Sequence, residues 1–352
     1  MILAHNIYIH IPFCISKCNY CAFFSHACAT PDWDLFTDKI ITEIEHWHNL
    51  LGYVSVPTIF FGGGTPSLMP TYVFRKIMSA LFKNFEITAD AEITIEANPK
   101  TLDNKRLCEF SDAGVNRISI GVQSFNDEKL KFLGRIHNAD DARRLIDDAM
   151  KHIKNVSADF IYGLPFDTAK TVIQTCDEIN KIGLTHCSMY ELTIEPDTPF
   201  GKMNLCMPSN ESMAEMYMAI AKTLKLNRYE VSNYAKNGFE CRHNQNIWDG
   251  APYIGIGNGA AGRIFFDNIW YEEMGGGKMF KPLSNSERAI ERIITGMRTC
   301  RGIKIDNEIK KIINLEFAKT NSDVIEFVGD DQIRATDAGM LILDSLIERL
   351  IK

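Results

Sequence analysis

The chain has 352 residues, of which 45% are hydrophobic and 24% are charged, as in an ordinary globular protein with a large core. Its 38 basic and 45 acidic residues leave a formal net charge of −7, which argues against nucleic-acid binding through a generally basic surface. No apolar run is long enough to span a bilayer, although peripheral membrane contact stays open.

The ten cysteines show no regular pairing, and the first residues, MILAHNIYIH, lack the basic region of a secretory signal peptide. Scattered cysteines of this kind are typical of proteins in a reducing compartment. We therefore expect a cytoplasmic protein with free thiols.

Three of the cysteines, Cys14, Cys18 and Cys21, follow the first strand-like run with the spacing CxxxCxxC. This spacing lets their thiolates converge on one centre from a single short loop. Three thiolates are one fewer than the four ligands typical of structural zinc and of electron-transfer clusters, so an iron–sulfur cluster held here keeps one iron open. The alternatives are buried structural thiols, or a zinc site completed by Cys28, His10 or His26.

Strand-like and helical stretches alternate after this loop. Further strands are predicted over 56–61, 91–97, 117–122, 156–162 and 187–194, and helices over 32–51, 72–85, 102–113, 127–152 and 168–182. Regular alternation predicts a parallel sheet with helices outside. We expect an α/β fold, in the form of a partial (β/α)6 TIM-like barrel. The Rossmann motif GxGxxG is absent after the first strand, which agrees with this choice.

The pattern changes beyond the last of these strands. We assign residues 1–200 to the barrel domain, 201–283 to a linker with a helix over 211–226 and a Gly-rich aromatic segment, and 284–352 to a small, mostly helical C-terminal domain. In that domain, 287–299 and 336–351 are predicted as helices and 325–328 as a strand. A winged helix fits this order, and because the chain is acidic we expect it to pack on the barrel rather than bind DNA.

Each barrel strand ends in residues that a core does not need. In a barrel all carboxyl-terminal strand ends face one mouth, so the motifs there are expected to share one cavity. Consecutive glycines let the backbone approach a ligand closely. These strand ends read GGGTP from Gly62, EANP from Glu96, GVQSF from Gly121, DFIYGLP from Asp159 and YELT from Tyr190.

The cysteine loop, with Tyr20 before its last cysteine, resembles the cluster loop of radical S-adenosylmethionine (SAM) enzymes. Gly62 to Thr65 resembles the GGE-type motif of the same superfamily. The order YIHIPFCxxKCxYCxF, FFGGGTPS, EANP, GVQSF, DFIYGLP and GIGNGAAG, over roughly two thirds of the chain, is similar to the HemN/HemW family.

The resemblance implies a [4Fe-4S] cluster on Cys14, Cys18 and Cys21, with SAM chelated by its amino and carboxylate groups at the open iron. It also implies a set of residues around SAM. These are Tyr8, Tyr20, Gly63, Gly64, Thr65, Glu96, Gln123, Arg135 and Asp159.

Two features separate the branches of the family. The HemN-type oxidase pattern has a fourth cysteine where this chain has Phe23, and it has a long extension before the first strand, where this chain has only a few residues before Ile7. Both favour the HemW-type heme chaperones. The sequence from Arg242 to Trp248, RHNQNIW, also resembles their HNxxYW signature.

This signature implies heme as a further cofactor, with His243 as an iron ligand and Trp248 stacked beside the macrocycle. Two positions depart from the branch pattern. Ile247 stands in place of tyrosine and Ala261 in place of histidine, which puts the heme contacts in doubt more than the cluster.

We therefore expect a heme chaperone that delivers heme to apo-hemoproteins and does not bind nucleic acid. The alternative within the family is an oxygen-independent coproporphyrinogen III oxidase, an enzyme in which a 5′-deoxyadenosyl radical takes hydrogen from propionate side chains; Phe23 counts against it. A radical SAM enzyme for another substrate and an electron-transfer protein are further alternatives. The sequence leaves homodimer formation open.

Overall fold

The computed structural model describes residues 4–274 and 279–352. In chain order the strands are β1 (Asn6–Ile11), β2 (Phe13–Cys14), β3 (His26–Ala27), β4 (Ser55–Gly63), β5 (Glu86–Ala97), β6 (Arg117–Gln123), β7 (Asn155–Tyr162), β8 (His186–Glu191), β9 (Asn227–Arg228), β10 (Asn233–Ala235), β11 (Tyr253–Ile256), β12 (Ala261–Phe266), β13 (Ile269–Met274), β14 (Met279–Leu283), β15 (Ile303–Lys304), β16 (Ile325–Val328) and β17 (Gln332–Ala335).

The α-helices alternate with these strands in the first half of the chain and dominate its end. They are α1 (Trp33–Leu51), α2 (Thr71–Asn84), α3 (Asn104–Asp112), α4 (Asp127–Phe132), α5 (Ala139–His152), α6 (Ala169–Ile182), α7 (Asn210–Thr223), α8 (Arg242–Trp248), α9 (Asn285–Met297), α10 (Asn307–Ile312), α11 (Leu315–Thr320), α12 (Asp337–Leu341) and α13 (Leu343–Leu350).

The main sheet has the strand order β14-β13-β12-β11-β1-β4-β5-β6-β7-β8-β10-β9. Its centre, from β1 to β8, consists of six parallel strands in barrel order, which confirms the predicted partial barrel. Beyond β1 the sheet continues with the parallel strand β11 and then the antiparallel strands β12 to β14. Beyond β8 it continues with the antiparallel strands β10 and β9, so the barrel stays open.

Side-chain alternation along the strands explains how the barrel is filled. On β1, Ile7 and Ile9 belong to the main apolar core, whereas Tyr8 between them stacks on Phe60 inside the barrel. Successive side chains of a strand point to opposite faces, so each strand contributes one apolar and one largely polar face. The apolar faces meet the helices, and the polar faces leave hydrogen-bonding groups along the barrel interior.

Two helices predicted as continuous are divided. The 127–152 helix is interrupted between α4 and α5, where Gly134 has a left-handed φ of 75° and Asn138 begins α5 with a capping box. The 336–351 helix is divided into α12 and α13 at Ile342. The aromatic part of the 201–283 segment forms β11 to β14, for which no elements were predicted.

The C-terminal region combines α9 to α13 with a three-stranded sheet of order β15-β17-β16. It contacts the rest of the chain through the backbone N–H of Val231, which donates to Arg298 O at 2.9 Å, and through the ion pair of Arg298 with Glu230. The division into these three domains remains a prediction, and residues 1–3 and 275–278 of the ranges lie outside the described residues. Among the described helices, none has the length and apolar character that crossing a membrane requires.

Candidate functional site

The three predicted cluster cysteines lie at the mouth of the barrel. Cys14 is the last residue of β2, which pairs with β3 and anchors both ends of the loop through the bond from Cys28 N to Cys14 O, 2.9 Å. Cys18 and Cys21 lie in one turn, where Cys21 N donates to Cys18 O at 3.3 Å. All three sulfur-bearing side chains line one cavity of about 390 Å³.

The same cavity collects the strand-end motifs, as expected for the carboxyl ends of parallel strands. Its volume lies within the range of about 300–1,000 Å³ typical of small-molecule sites. Besides the three cysteines, the predicted site residues that line it are Tyr20, Gly63, Gly64, Thr65, Glu96, Gln123, Arg135 and Asp159. Tyr8 lies one layer deeper, where its hydroxyl is 2.9 Å from His10 Nδ1.

The glycines of the second motif allow the backbone to pass close to the cysteine loop. A Cβ atom on Gly64 would lie 2.7 Å from Phe13 O and 2.9 Å from Cys14 Sγ, so a side chain cannot be placed there without displacing the loop. Gly63 has a φ of 114°, and its N–H donates to Glu96 Oε2 at 3.1 Å. The tight turn therefore joins the cysteine loop to the carboxylate on β5.

Two carboxylates lie in the deeper wall of the cavity. Burial, followed by repulsion from Asp159, raises the pKa of Glu96 to about 8. Burial also raises the pKa of Asp159, although its carboxylate accepts hydrogen bonds from Ser119 at 3.0 Å and from Ser188 at 2.8 Å. A cationic ligand would favour the ionised forms of both, so this wall is suited to an ammonium or sulfonium group.

Gln123 has an unusual backbone. Its φ of 67° is left-handed, which is rare for a residue with a side chain, and the register between β6 and β7 shifts between Gly121 and Gln123. The side-chain amide folds back toward Gly121, as shown by the distance of 2.9 Å between Gln123 Nε2 and a Cβ placed on Gly121. Such strain persists where the surrounding structure holds it and is common at ligand sites.

The two predicted heme residues lie elsewhere, at the amino-terminal end of the barrel strands. His243 is 2% exposed, with its ring centroid 5.1 Å from that of Phe60 and its Nδ1 2.8 Å from Thr58 Oγ1. Burial, followed by the charge of Arg117, lowers the pKa of His243 to about 3. Trp248 is half-buried and packs near Tyr229. The structure thus separates these residues from the cysteine cavity.

Comparison with known proteins agrees with this geometry. Residues 8–179 match the model of the Radical SAM superfamily. The heme chaperone HemW of Buchnera aphidicola (subsp. Schizaphis graminum) is 40% identical over 264 residues, which cover 74% of this chain and 70% of that protein. HemW of Escherichia coli is 38% identical over 269 residues with the same coverage. The chain belongs to the HemN/HemW family of radical SAM proteins.

Other members extend the match over the full chain. HemW of Lactococcus lactis is 29% identical over 374 residues, covering 99% of this chain and 97% of that protein. The solved structure of coproporphyrinogen III oxidase (HemN) from Escherichia coli superimposes with a TM-score of 0.82 over 99% of this chain and 90% of that one, at 19% identity. That similarity establishes the HemN fold, including its C-terminal region.

Membership in this family implies a [4Fe-4S] cluster and SAM as cofactors, and the residues of the cavity fit them. Three thiols on one loop, with close backbone on one side and a guanidinium on the other, match a cluster that keeps one iron open. The alternative zinc ligand His10 has both ring nitrogens engaged, with Tyr8 OH and with Phe24 O at 2.7 Å. Within the described residues, no three His, Cys, Asp or Glu side chains converge on a single metal ion, and a [4Fe-4S] cluster does not require it, because each cysteine binds a different iron.

Three residues that support the site were not predicted from the sequence: Asn98 and Ser119, which line the cavity, and Ser188, which contacts Asp159. Asn98 donates to Thr65 Oγ1 at 3.0 Å and accepts from Arg135, so it links two predicted site residues. Ser119 and Ser188 hold the Asp159 carboxylate from the two neighbouring strands. The EANP motif marked Asn98, but serines on parallel strands carry no comparable signal, because their partners depend on strand register.

Proposed function

We propose that this protein binds heme and delivers it to apo-hemoproteins. The observation that carries the proposal is its similarity to HemW heme chaperones, at 40% and 38% identity over 74% of the chain. In this proposal Cys14, Cys18 and Cys21 hold the cluster, and the remaining predicted residues of the cavity contact SAM. SAM would supply a cleavable sulfonium there, and the carboxylates of Glu96 and Asp159 in the cavity wall would favour a positively charged ligand.

The rim of the cavity supports heme contact at the barrel mouth. Phe23, which occupies the position of the fourth oxidase cysteine, is 68% exposed, and Ile136 across a different loop is also exposed. The ammonium of Lys17 lies 3.3 Å from Phe23 O, and that of Lys100 lies 3.2 Å from Ile136 O. Apolar side chains beside cations complement a planar apolar ring with two propionates.

We also propose that His243 binds the heme iron, which requires α8 to move. Thr58 donates to Asn6 Oδ1 and therefore accepts from His243 Nδ1, which leaves Nε2 as the atom able to bind iron. Because His243 is buried and its backbone N–H donates to Glu92 at 3.0 Å, α8 would have to leave the barrel floor to bring it to heme.

An anaerobic heme titration of the cluster-reconstituted protein, followed by the Soret band, tests the function. Saturable binding and subsequent transfer to a heme-free globin support the proposal. A His243→Ala variant that binds heme like the unchanged protein would remove His243 as the ligand. Absence of binding would overturn the chaperone function, and decarboxylation of coproporphyrinogen III with SAM would then be the reaction to assay.

We further propose that the protein acts in the cytoplasm and does not bind nucleic acid, in keeping with its net charge of −7. Light scattering after size-exclusion chromatography, with and without heme, would decide between a monomer and a homodimer. Flotation with anionic vesicles would reveal peripheral membrane contact.

A further inference from the structure

The cysteine loop is held from outside by the turn that ends α4. Asn19, which lies between two of the cluster cysteines, donates through its backbone N–H to Leu133 O at 3.0 Å and through Nδ2 to Phe132 O at 2.8 Å. Gly134 has a φ of 75°, and a Cβ there would lie 3.1 Å from the Asn19 side chain. This close approach brings the following residue, Arg135, directly onto the loop.

The guanidinium of Arg135 bridges the loop and the sheet. Its Nη1 donates to Cys18 Sγ at 3.4 Å. On the sheet side, Nη2 donates to Gly121 O at 2.7 Å and to Asn98 Oδ1. Both terminal nitrogens are therefore occupied by protein atoms.

The Nε–H of this side chain is buried and has no partner among the residues that the structure describes. The contacts of the guanidinium that the structure shows are thus those of Nη1 with a cluster thiolate and of Nη2 with the sheet.

A cationic donor on a cluster thiolate has a definite electrostatic effect. Reduction adds negative charge to a cluster that three thiolates already make anionic, and a hydrogen bond to sulfur stabilises the reduced form more than the oxidised form. The effect is larger in a cavity with limited water than at an exposed surface. Outer residues of this kind are known to orient metal ligands and to tune the metal.

We propose that Arg135 is a positioning residue of the cluster that raises its reduction potential, in addition to the SAM contact implied by its place in the family. This inference rests on the cluster and not on heme delivery, so the two can fail independently. The proposal concerns one hydrogen bond, from Arg135 to Cys18, and the effect of that bond on the reduction potential of the cluster.

The test is the midpoint potential of the reconstituted cluster, measured by EPR at controlled potentials in the absence of SAM. Arg135→Gln should shift the potential to more negative values, and Arg135→Lys, which keeps the charge, should shift it less. Arg143→Gln is the matched control, because Arg143 pairs with Glu178 on the outer helices and should leave the potential unchanged. Iron content and SAM affinity are measured on the same samples.

An unchanged potential in Arg135→Gln, together with weaker SAM binding, would show that the residue serves SAM alone and would overturn the proposal. An equal shift in Arg143→Gln would also overturn it, since the effect would then be one of overall charge. If Arg135→Gln does not retain its iron, Arg135→Lys decides: full iron content with an unshifted potential refutes the proposal, and a negative shift supports it.

Discussion

The raised pKa of Glu96 predicts a pH-dependent gain in stability when this carboxyl is neutralised. A buried acid with a pKa of about 8 instead of 4.5 does not lower the free energy of unfolding below pH 4.5, because it is then protonated in both the folded and the unfolded state. The loss of stability grows as the pH rises and reaches its full size above about pH 8. At about 1.36 kcal/mol per unit of pKa, the difference between the two pKa values corresponds to at most about 5 kcal/mol of stability. Water in the cavity reduces this, so we expect Glu96→Gln to stabilise the cluster-free, SAM-free protein by about 1–3 kcal/mol at pH 8.5.

Urea unfolding at pH 5, 7 and 8.5 measures this difference in the free energy of unfolding. The gain should be near zero at pH 5 and should rise toward pH 8.5, while SAM affinity falls because the carboxylate is lost. Glu45→Gln, at an exposed position of α1, is the matched control and should show no such trend. A variant that is equally stable or less stable than the parent at pH 8.5 would refute the reasoning.

Three further predictions concern the mouth of the barrel. Gly64→Ala should reduce iron incorporation several-fold without unfolding the barrel, because the new Cβ would lie 2.7 Å from Phe13 O; iron analysis beside circular dichroism checks it, and full iron content would contradict it. Phe23→Glu should weaken heme binding about tenfold in a Soret titration, whereas Phe82→Glu, an exposed phenylalanine on α2, should not; equal affinities would exclude the rim as the heme contact. Loss of the cluster, seen as loss of iron and of the brown colour, is expected for a triple serine variant of Cys14, Cys18 and Cys21, and retained iron would disprove the ligand assignment.

The sequence predicts those elements that depend only on residues close together in the chain. Strand and helix alternation follows from side-chain periodicity, and three cysteines within one loop need no long-range contact to lie together. The convergence of Gly63, Glu96 and Asp159 was predictable as well, because parallel strands in a barrel all present their carboxyl ends at one mouth.

Other features depend on contacts between residues that are distant in the chain. Arg135 meets Cys18 across 117 positions, and Thr58 meets His243 across 185, so neither pairing has a signature in either segment alone. His243 reads from sequence as a plausible heme ligand, yet tertiary packing buries it at the opposite end of the barrel from the cysteines. The sequence by itself determined the barrel and the cysteine loop through periodicity and spacing. Only the tertiary structure decided which side chains complete the site, because strand register and helix docking are set by the core as a whole.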